Sequence, residues 1–146
     1  MVYVLTFCIF AAVLLLSYRA LGGEPASDDA VQQFVGNVAD WLRADWESLS
    51  VIGTEGDANT GVVDQARAVR KKLSGYQQQL ARLDGGTGDP VEAGRRAAVS
   101  DAIEALGWAC RMVEAGSYAT NPAVRAASAE LYRASGAIIG VSSAPV

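Results

Sequence analysis

The sequence predicts an all-α protein: a single N-terminal transmembrane helix followed by a four-helix bundle-like soluble domain. Residues 2–18 form a charge-free and almost wholly apolar run. The chain after residue 27 contains four segments whose apolar residues recur at helical spacings of three and four. Strand-like alternation never lasts more than a few residues. These patterns divide the chain into a transmembrane anchor (1–21), a hinge (22–27), a helical bundle domain (28–140) and a flexible tail (141–146).

The apolar run has the length of a membrane-spanning helix. Residues 2–21 span roughly 30 Å as a helix, which is the thickness of a hydrocarbon core. Tyr3 and Tyr18 lie near its two ends, where their rings suit the headgroup layers. A cleaved signal peptide is the alternative, with residues 20–22 as the processing site. The basic residues expected before a signal sequence are missing, however, which favours a retained anchor.

The flanking residues of the run predict its orientation and packing. Arg19 follows the run, so the positive-inside rule places the bundle domain in the cytoplasm and the N-terminus outside. Cys8, Ala11 and Ala12 give the anchor a face of small residues that permits close contact with another membrane helix. Arginine outnumbers lysine and alanine is abundant, as in proteins of GC-rich bacteria. We therefore expect a single-pass protein of a bacterial inner (plasma) membrane.

The first two helices of the domain are predicted from their apolar faces. The first begins at the N-cap Ser27 and continues to Ile52. Its apolar positions are Val31, Phe34, Val35, Val38, Trp41, Leu42, Trp46, Leu49 and Ile52. A loop is predicted over 53–61. The second helix, 62–83, alternates apolar spacings of four and three, which is typical of a helix packed nearly parallel to its neighbours.

Capping residues mark the start of the third and fourth helices. Asp89 and Asn121 each stand before a proline, Pro90 and Pro122, that suits the first helical position. The buried positions predicted for the third helix, which Gly116 ends, are Val99, Ile103, Leu106, Cys110 and Val113. Those predicted for the fourth helix, which fades near Gly140, are Val124, Ala127, Leu131 and Ile138.

The composition argues against enzymatic and metal chemistry. The chain has no histidine, the commonest general base and metal ligand. Its two cysteines are Cys8, at membrane depth, and Cys110, on an apolar stripe, so no thiolate cluster is available. Asp101, Glu104 and Glu130 lack the Glu-x-x-His spacing of a di-metal bundle site. We therefore expect no enzyme activity, no metal and no cofactor.

Two groups of residues are candidate contacts for a partner protein or for lipid. The basic cluster comprises Arg67, Arg70, Lys71 and Lys72, and the second group comprises Trp41, Trp46 and Trp108. For the cluster, the alternative is a solvated face whose positive charges offset those of the acidic first helix. For the tryptophans, it is a boundary position whose indole N–H reaches a backbone carbonyl. The formal net charge of −4 argues against binding to nucleic acid.

Together these patterns favour a non-enzymatic membrane accessory subunit. Its anchor would pack against integral-membrane protein subunits in the lipid bilayer. Its bundle would stabilise or regulate a transporter or respiratory assembly through protein–protein contacts. The alternative is a membrane-tethered helical module that binds a lipid or another small apolar ligand, in a pocket lined by Leu73, Tyr76 and Trp108.

Overall fold

The structure is a computed structural model that describes residues 28–54, 60–83 and 89–140, and within these ranges the chain forms helices and turns. The helices are α1 (Asp28–Ser48), α2 (Ser50–Gly53), α3 (Thr60–Arg82), α4 (Pro90–Glu114) and α5 (Pro122–Ile138). The predicted all-α bundle is confirmed. The predicted anchor, hinge and tail lie outside the described residues. None of the described helices combines the length and apolar composition needed to cross a bilayer.

Helix α4 lies at the centre of the bundle. It packs against α3 on one side and α5 on the other. Helix α1 packs on one face of the layer that these three helices form. Helices α3 and α4 are antiparallel, because Arg70 in the first half of α3 binds Glu114 at the end of α4. Helix α1 also runs antiparallel to α3, because its last residue, Ser48, accepts a hydrogen bond from Gln65 near the start of α3, whereas Trp41, two turns earlier, lies beside Tyr76 further along α3. The start of α1 and the start of α4 therefore lie at the same end of the bundle.

The hydrophobic core fills the space between α1 and this layer. The stripe predicted for α4 is buried along its whole length, and Cys110 is a buried free thiol within it. The caps predicted for α4 and α5 also form, since the Asp89 and Asn121 side chains accept hydrogen bonds from the backbone N–H of the second residue of each helix. The buried residues of the α3 stripe are Val62, Ala66, Val69, Leu73 and Leu80.

The first predicted helix is interrupted before Ile52. Helix α1 ends at Ser48, and the four-residue α2 begins at Ser50. The amide of buried Leu49 donates to the Trp46 carbonyl, three residues back, at 3.1 Å, so the last turn of α1 is tightened. Neither glycine nor proline marks this break. As a result Gly53, which the sequence placed in a loop, packs against Tyr132 of α5.

The buried face of α5 differs from the predicted one. Ile138 is 43% exposed, and Val124, Ala127 and Leu131 are only partly buried. Small and hydroxyl side chains occupy the interior instead, which lets α5 approach α4 and α1 closely. The buried serine hydroxyls of α5 donate to backbone carbonyls, which removes the penalty for burying them. The buried residues are Ser128, Ala129, Tyr132, Ser135 and Gly136.

Candidate interaction surface

The contact between α1 and α5 contains Trp46, one of the three candidate tryptophans. Trp46 is 8% exposed and stacks on Tyr132, with 4.4 Å between ring centroids. Trp46 Nε1 donates to the Tyr132 carbonyl at 2.8 Å, and the Tyr132 hydroxyl donates to the Trp46 carbonyl at 2.9 Å. Burial, with a smaller effect of the Glu47 charge, raises the pKa of Tyr132 to about 12. Trp46 is therefore a core residue, and its assignment as a partner or lipid contact is corrected.

Two glycines make room for these rings. A Cβ atom on Gly136 would lie 2.5 Å from Cζ2 of Trp46. A Cβ atom on Gly53 would lie 2.6 Å from Cε1 of Tyr132. Both distances are too short for non-bonded carbon atoms, so the close approach depends on glycine at each position. We refer to Trp46, Tyr132, Gly53 and Gly136 as the closed seam.

A buried carboxylate joins α1 to α3. Asp45 accepts hydrogen bonds from Lys72 Nζ at 2.8 Å and from the Tyr76 hydroxyl at 2.9 Å. Desolvation and the hydrogen bond to Asp45 raise the pKa of Tyr76 to about 12. Trp41 is 46% exposed, and its ring centroid lies 5.9 Å from that of Tyr76. Lys72 thus forms an ion pair with an acidic residue of α1, whereas Trp41 remains on the surface.

The other members of the basic cluster point elsewhere. Arg70 Nη2 lies 3.2 Å from Glu114 Oε2 of α4, and Arg67 Nε lies 3.7 Å from the same oxygen. The hydrogen bond to Glu114 raises the pKa of Arg70. Lys71 is exposed and has no ion pair with another described residue. Since Arg70 and Lys72 lie about 160° apart around α3, the four cations do not form one patch.

A groove separates α3 from α4 on the bundle surface. Its first cavity has a volume of about 270 Å³ and is lined by Arg70, Leu73, Ser74, Gln77, Ile103, Glu104, Gly107, Trp108 and Arg111. A second cavity of about 390 Å³ shares Gln77 with the first and is otherwise lined by Leu80, Ala81, Ala93, Arg96, Ala97 and Ser100. We refer to both together as the α3–α4 groove.

The groove opens on the side of the layer that α1 leaves uncovered. Glu104 and Trp108 each lie about 160° around α4 from Leu106, which is fully buried in the core. Trp108 is 47% exposed, and the guanidinium carbon of Arg111 lies 4.7 Å from its ring centroid. This stacking is a cation–π contact. Among the described residues Arg111 has no carboxylate partner.

The chemistry of the groove is that of a binding surface. Its floor is formed by the buried side chains of Leu73 and Ile103, and its walls carry hydroxyl, amide and guanidinium groups. Cys110 lies close in sequence but faces the core, where burial raises the pKa of its thiol to about 12. A protonated, buried thiol is a poor nucleophile. No cluster of His, Cys, Asp or Glu in the described parts of the chain is arranged to hold a metal ion.

Sequence reasoning found single residues of this surface but missed the groove. Of the residues predicted to line an apolar pocket, Leu73 and Trp108 do line the groove, whereas Tyr76 binds Asp45 of α1. Gly107 and Arg111 were not candidates. One feature of the sequence could have indicated the groove: a glycine in the middle of a predicted helix, directly before a tryptophan that lies off the apolar stripe. Cys8, Ala11 and Ala12, the predicted packing residues of the anchor, lie outside the described residues.

No protein-family model matches this chain, and neither curated proteins nor solved structures gave a match. A function for this protein therefore follows from the chemistry of its own residues.

Proposed function

We propose that the protein is a non-enzymatic, single-pass membrane accessory subunit whose helical domain stabilises or regulates a larger membrane complex, such as a transporter or respiratory assembly. The membrane attachment is supported by the apolar run of residues 2–18. The contact with a partner is supported by the α3–α4 groove, which is the observation that carries the proposal. The groove combines an apolar floor, polar walls and an exposed tryptophan, the composition of a protein-binding surface.

The lining of the groove favours a protein partner over a lipid or a small apolar ligand. Around the first cavity the polar or charged residues are Arg70, Ser74, Gln77, Glu104 and Arg111. An apolar ligand would remove water from these groups without offering hydrogen bonds, which is unfavourable. A protein segment supplies apolar side chains for the floor and polar groups for the walls.

The direction of the groove suits a partner that emerges from the membrane. Its second cavity, with Ala81 and Ala93, lies at the end of the bundle where α1 begins. In a tethered domain this end faces the bilayer, on the cytoplasmic side in the predicted orientation. A segment that follows a transmembrane helix of the partner can therefore enter the groove directly.

Co-purification from membranes tests this proposal. A C-terminally tagged full-length chain is expressed in its bacterial host, extracted with a mild detergent and purified. We expect the chain in the membrane fraction, accompanied by an integral-membrane protein in fixed stoichiometry. Trp108→Ala should lower the yield of that protein, and Trp41→Ala, an equally exposed tryptophan outside the groove, should not. A chain that is free in the aqueous fraction, or that is recovered only as a monomer, contradicts the proposal.

A further inference from the structure

We infer that the α3–α4 groove binds an amphipathic helix of a partner protein that carries acidic residues beside its apolar stripe. This inference rests on the proposed function, because it specifies the chemistry of the contact which that function requires.

The shape of the groove fits a helix. The α3 wall consists of Arg70, Ser74, Gln77 and Ala81, and the α4 wall consists of Ala93, Ala97, Ser100, Glu104, Gly107 and Arg111. Both walls follow alternating spacings of three and four, so each is one ridge of a helix, and the space between two such ridges is the position that a third helix occupies. Residues 70–81 span about 17 Å, or three helical turns.

Small residues keep this position open. Ala81, Ala93 and Ala97 lie along the walls, and Gly107 lies beside Trp108. Apart from its chain neighbours and the adjacent backbone of α4, a Cβ atom on Gly107 would meet no atom of the described residues within 4 Å. An additional helix can therefore approach the backbone of α4 closely at this point.

The charges of the groove select an acidic partner. The charged residues that line it are Arg70, Arg96, Arg111 and Glu104. Glu114 already pairs with Arg70, but Arg111 rests on the Trp108 ring and has no ion pair within the described residues. The whole chain has a formal net charge of −4, so this local excess of arginine runs against its overall charge. Carboxylates on the partner helix complement it, and lysines or arginines there are repelled.

Synthetic helical peptides test the inference directly. Three fluorescein-labelled peptides share one leucine and alanine stripe and carry glutamate, glutamine or lysine beside it. Fluorescence anisotropy measures their binding to the full-length chain in nanodiscs of neutral lipid. We expect the glutamate peptide to bind tightest, at least about tenfold tighter than the lysine peptide. Equal binding of the two charged peptides, or no binding of the glutamate peptide, overturns the inference.

Three variants locate the binding site. Gly107→Leu places a side chain in the groove from a position where a Cβ atom fits without a close contact, and should weaken binding at least about tenfold, as should Trp108→Ala. Arg111→Glu should reverse the order, so that the lysine peptide binds tighter than the glutamate peptide. Gly36→Leu on α1 is the matched control, because a Cβ atom there also fits without a close contact but lies outside the groove, and it should bind like the wild type. Circular dichroism verifies that each variant is folded.

Other occupants of the groove give different results. A dimer of the wild-type chain that Gly107→Leu dissociates, measured by sedimentation, assigns the groove to a second copy and overturns the inference. Binding to phosphatidylglycerol vesicles that Arg111→Glu abolishes assigns it to lipid and overturns it too. Failure of the peptides to bind leaves membrane fractionation and partner co-purification unchanged, so it is distinguishable from failure of the proposed function.

Discussion

The closed seam and the α3–α4 groove each place a tryptophan beside a helical glycine, with opposite results. At the seam the ring of Trp46 occupies the space above Gly136, within 2.5 Å of the position of a Cβ atom. At the groove no described residue outside the adjacent backbone of α4 lies within 4 Å of the corresponding point on Gly107, and Trp108 is 47% exposed. A glycine inside a helix costs about 1 kcal/mol relative to alanine. Packing within the chain offsets that cost at the seam, and in our account a partner does so at the groove.

Open glycines also occur elsewhere in the helices, at Gly36, Gly75 and Gly94. None of these three lines either cavity of the α3–α4 groove. The distinguishing feature of Gly107 is thus its place between two helical ridges and beside an exposed tryptophan. The difference between the closed seam and the α3–α4 groove therefore lies in what surrounds each glycine. Substitutions in the two regions can test this difference.

The largest expected difference comes from removing the two indoles. Trp46→Ala deletes a buried, hydrogen-bonded ring and should lower the free energy of unfolding by about 3–5 kcal/mol. Trp108→Ala removes a ring that is 47% exposed and should lower it by less than about 1 kcal/mol. Urea denaturation followed by circular dichroism measures both. Losses of similar size would show that the groove is as closed as the seam.

The two glycines should respond to the same substitution with opposite signs. Gly136→Ala forces a methyl group into the Trp46 ring and should destabilise the domain by about 1–3 kcal/mol, despite the better helix propensity of alanine. Gly107→Ala meets open space and should stabilise it by about 0.5–1 kcal/mol. Urea denaturation of the two variants measures both changes in the free energy of unfolding. A stabilising Gly136→Ala would contradict the close packing of the seam.

Alkaline pH should destabilise the bundle through three side chains with raised pKa values. The pKa values of Tyr76 and Tyr132 rise from 10.0, and that of Cys110 from 9.0, to about 12 in the folded chain. The folded state therefore holds these protons more tightly than the unfolded state. Stability from these groups is fully present below about pH 9 and is lost as the pH rises towards 12.

Urea midpoints measured at pH 8, 10 and 11 test this dependence. We expect the midpoint to fall between pH 8 and 11, and to fall less steeply in Tyr132→Phe, which removes one of the titrating groups. A midpoint that stays constant up to pH 11 would contradict the raised pKa values of these side chains. The walls of the α3–α4 groove carry no tyrosine, so filling the groove with Gly107→Leu should leave the slope unchanged.

The smallest expected difference lies within the basic cluster. Lys72→Ala removes the cation bound to the buried carboxylate of Asp45 and should cost about 1 kcal/mol, because the lysine side chain is itself largely exposed. Lys71→Ala removes a solvated charge and should change stability by less than about 0.5 kcal/mol. Thermal denaturation of the two variants in parallel separates them. Equal melting temperatures would mean that the contact between Lys72 and Asp45 adds nothing.

Local patterns were enough to predict the helices and most of the core. The α3 and α4 stripes follow a regular spacing, and the caps at Asp89 and Asn121 use side chains that bind backbone N–H groups nearby. Each of these signals depends on residues that are at most about one helical turn apart, so it can be recognised in the sequence alone. The buried face of α5 was predicted only in part: Val124 and Leu131 pack against the core, but the innermost residues include serine, glycine and tyrosine. Their burial depends on the close approach of α1 and α4, which no local pattern shows.

The site was harder to predict than the fold, for the same reason. The sequence indicates that Trp41 and Trp46 point in different directions, about 140° apart. It does not indicate which of them faces the core, because that depends on where α5 packs. The alternative for the basic cluster was a solvated face that pairs with the acidic first helix. This holds for Lys72 but not for Arg70, whose partner Glu114 lies on α4. The groove itself exists only once α3 and α4 are side by side.

Hydroxyl-radical footprinting of the tryptophans in the full-length chain tests the central contrast most directly. Mass spectrometry should find Trp46 protected, and Trp41 and Trp108 oxidised at similar rates. Addition of the glutamate peptide should then protect Trp108 and leave Trp41 unchanged. Oxidation of Trp46 in the folded chain, or protection of Trp108 before any peptide is added, would contradict a bundle that is closed at one tryptophan and open to a partner at the other.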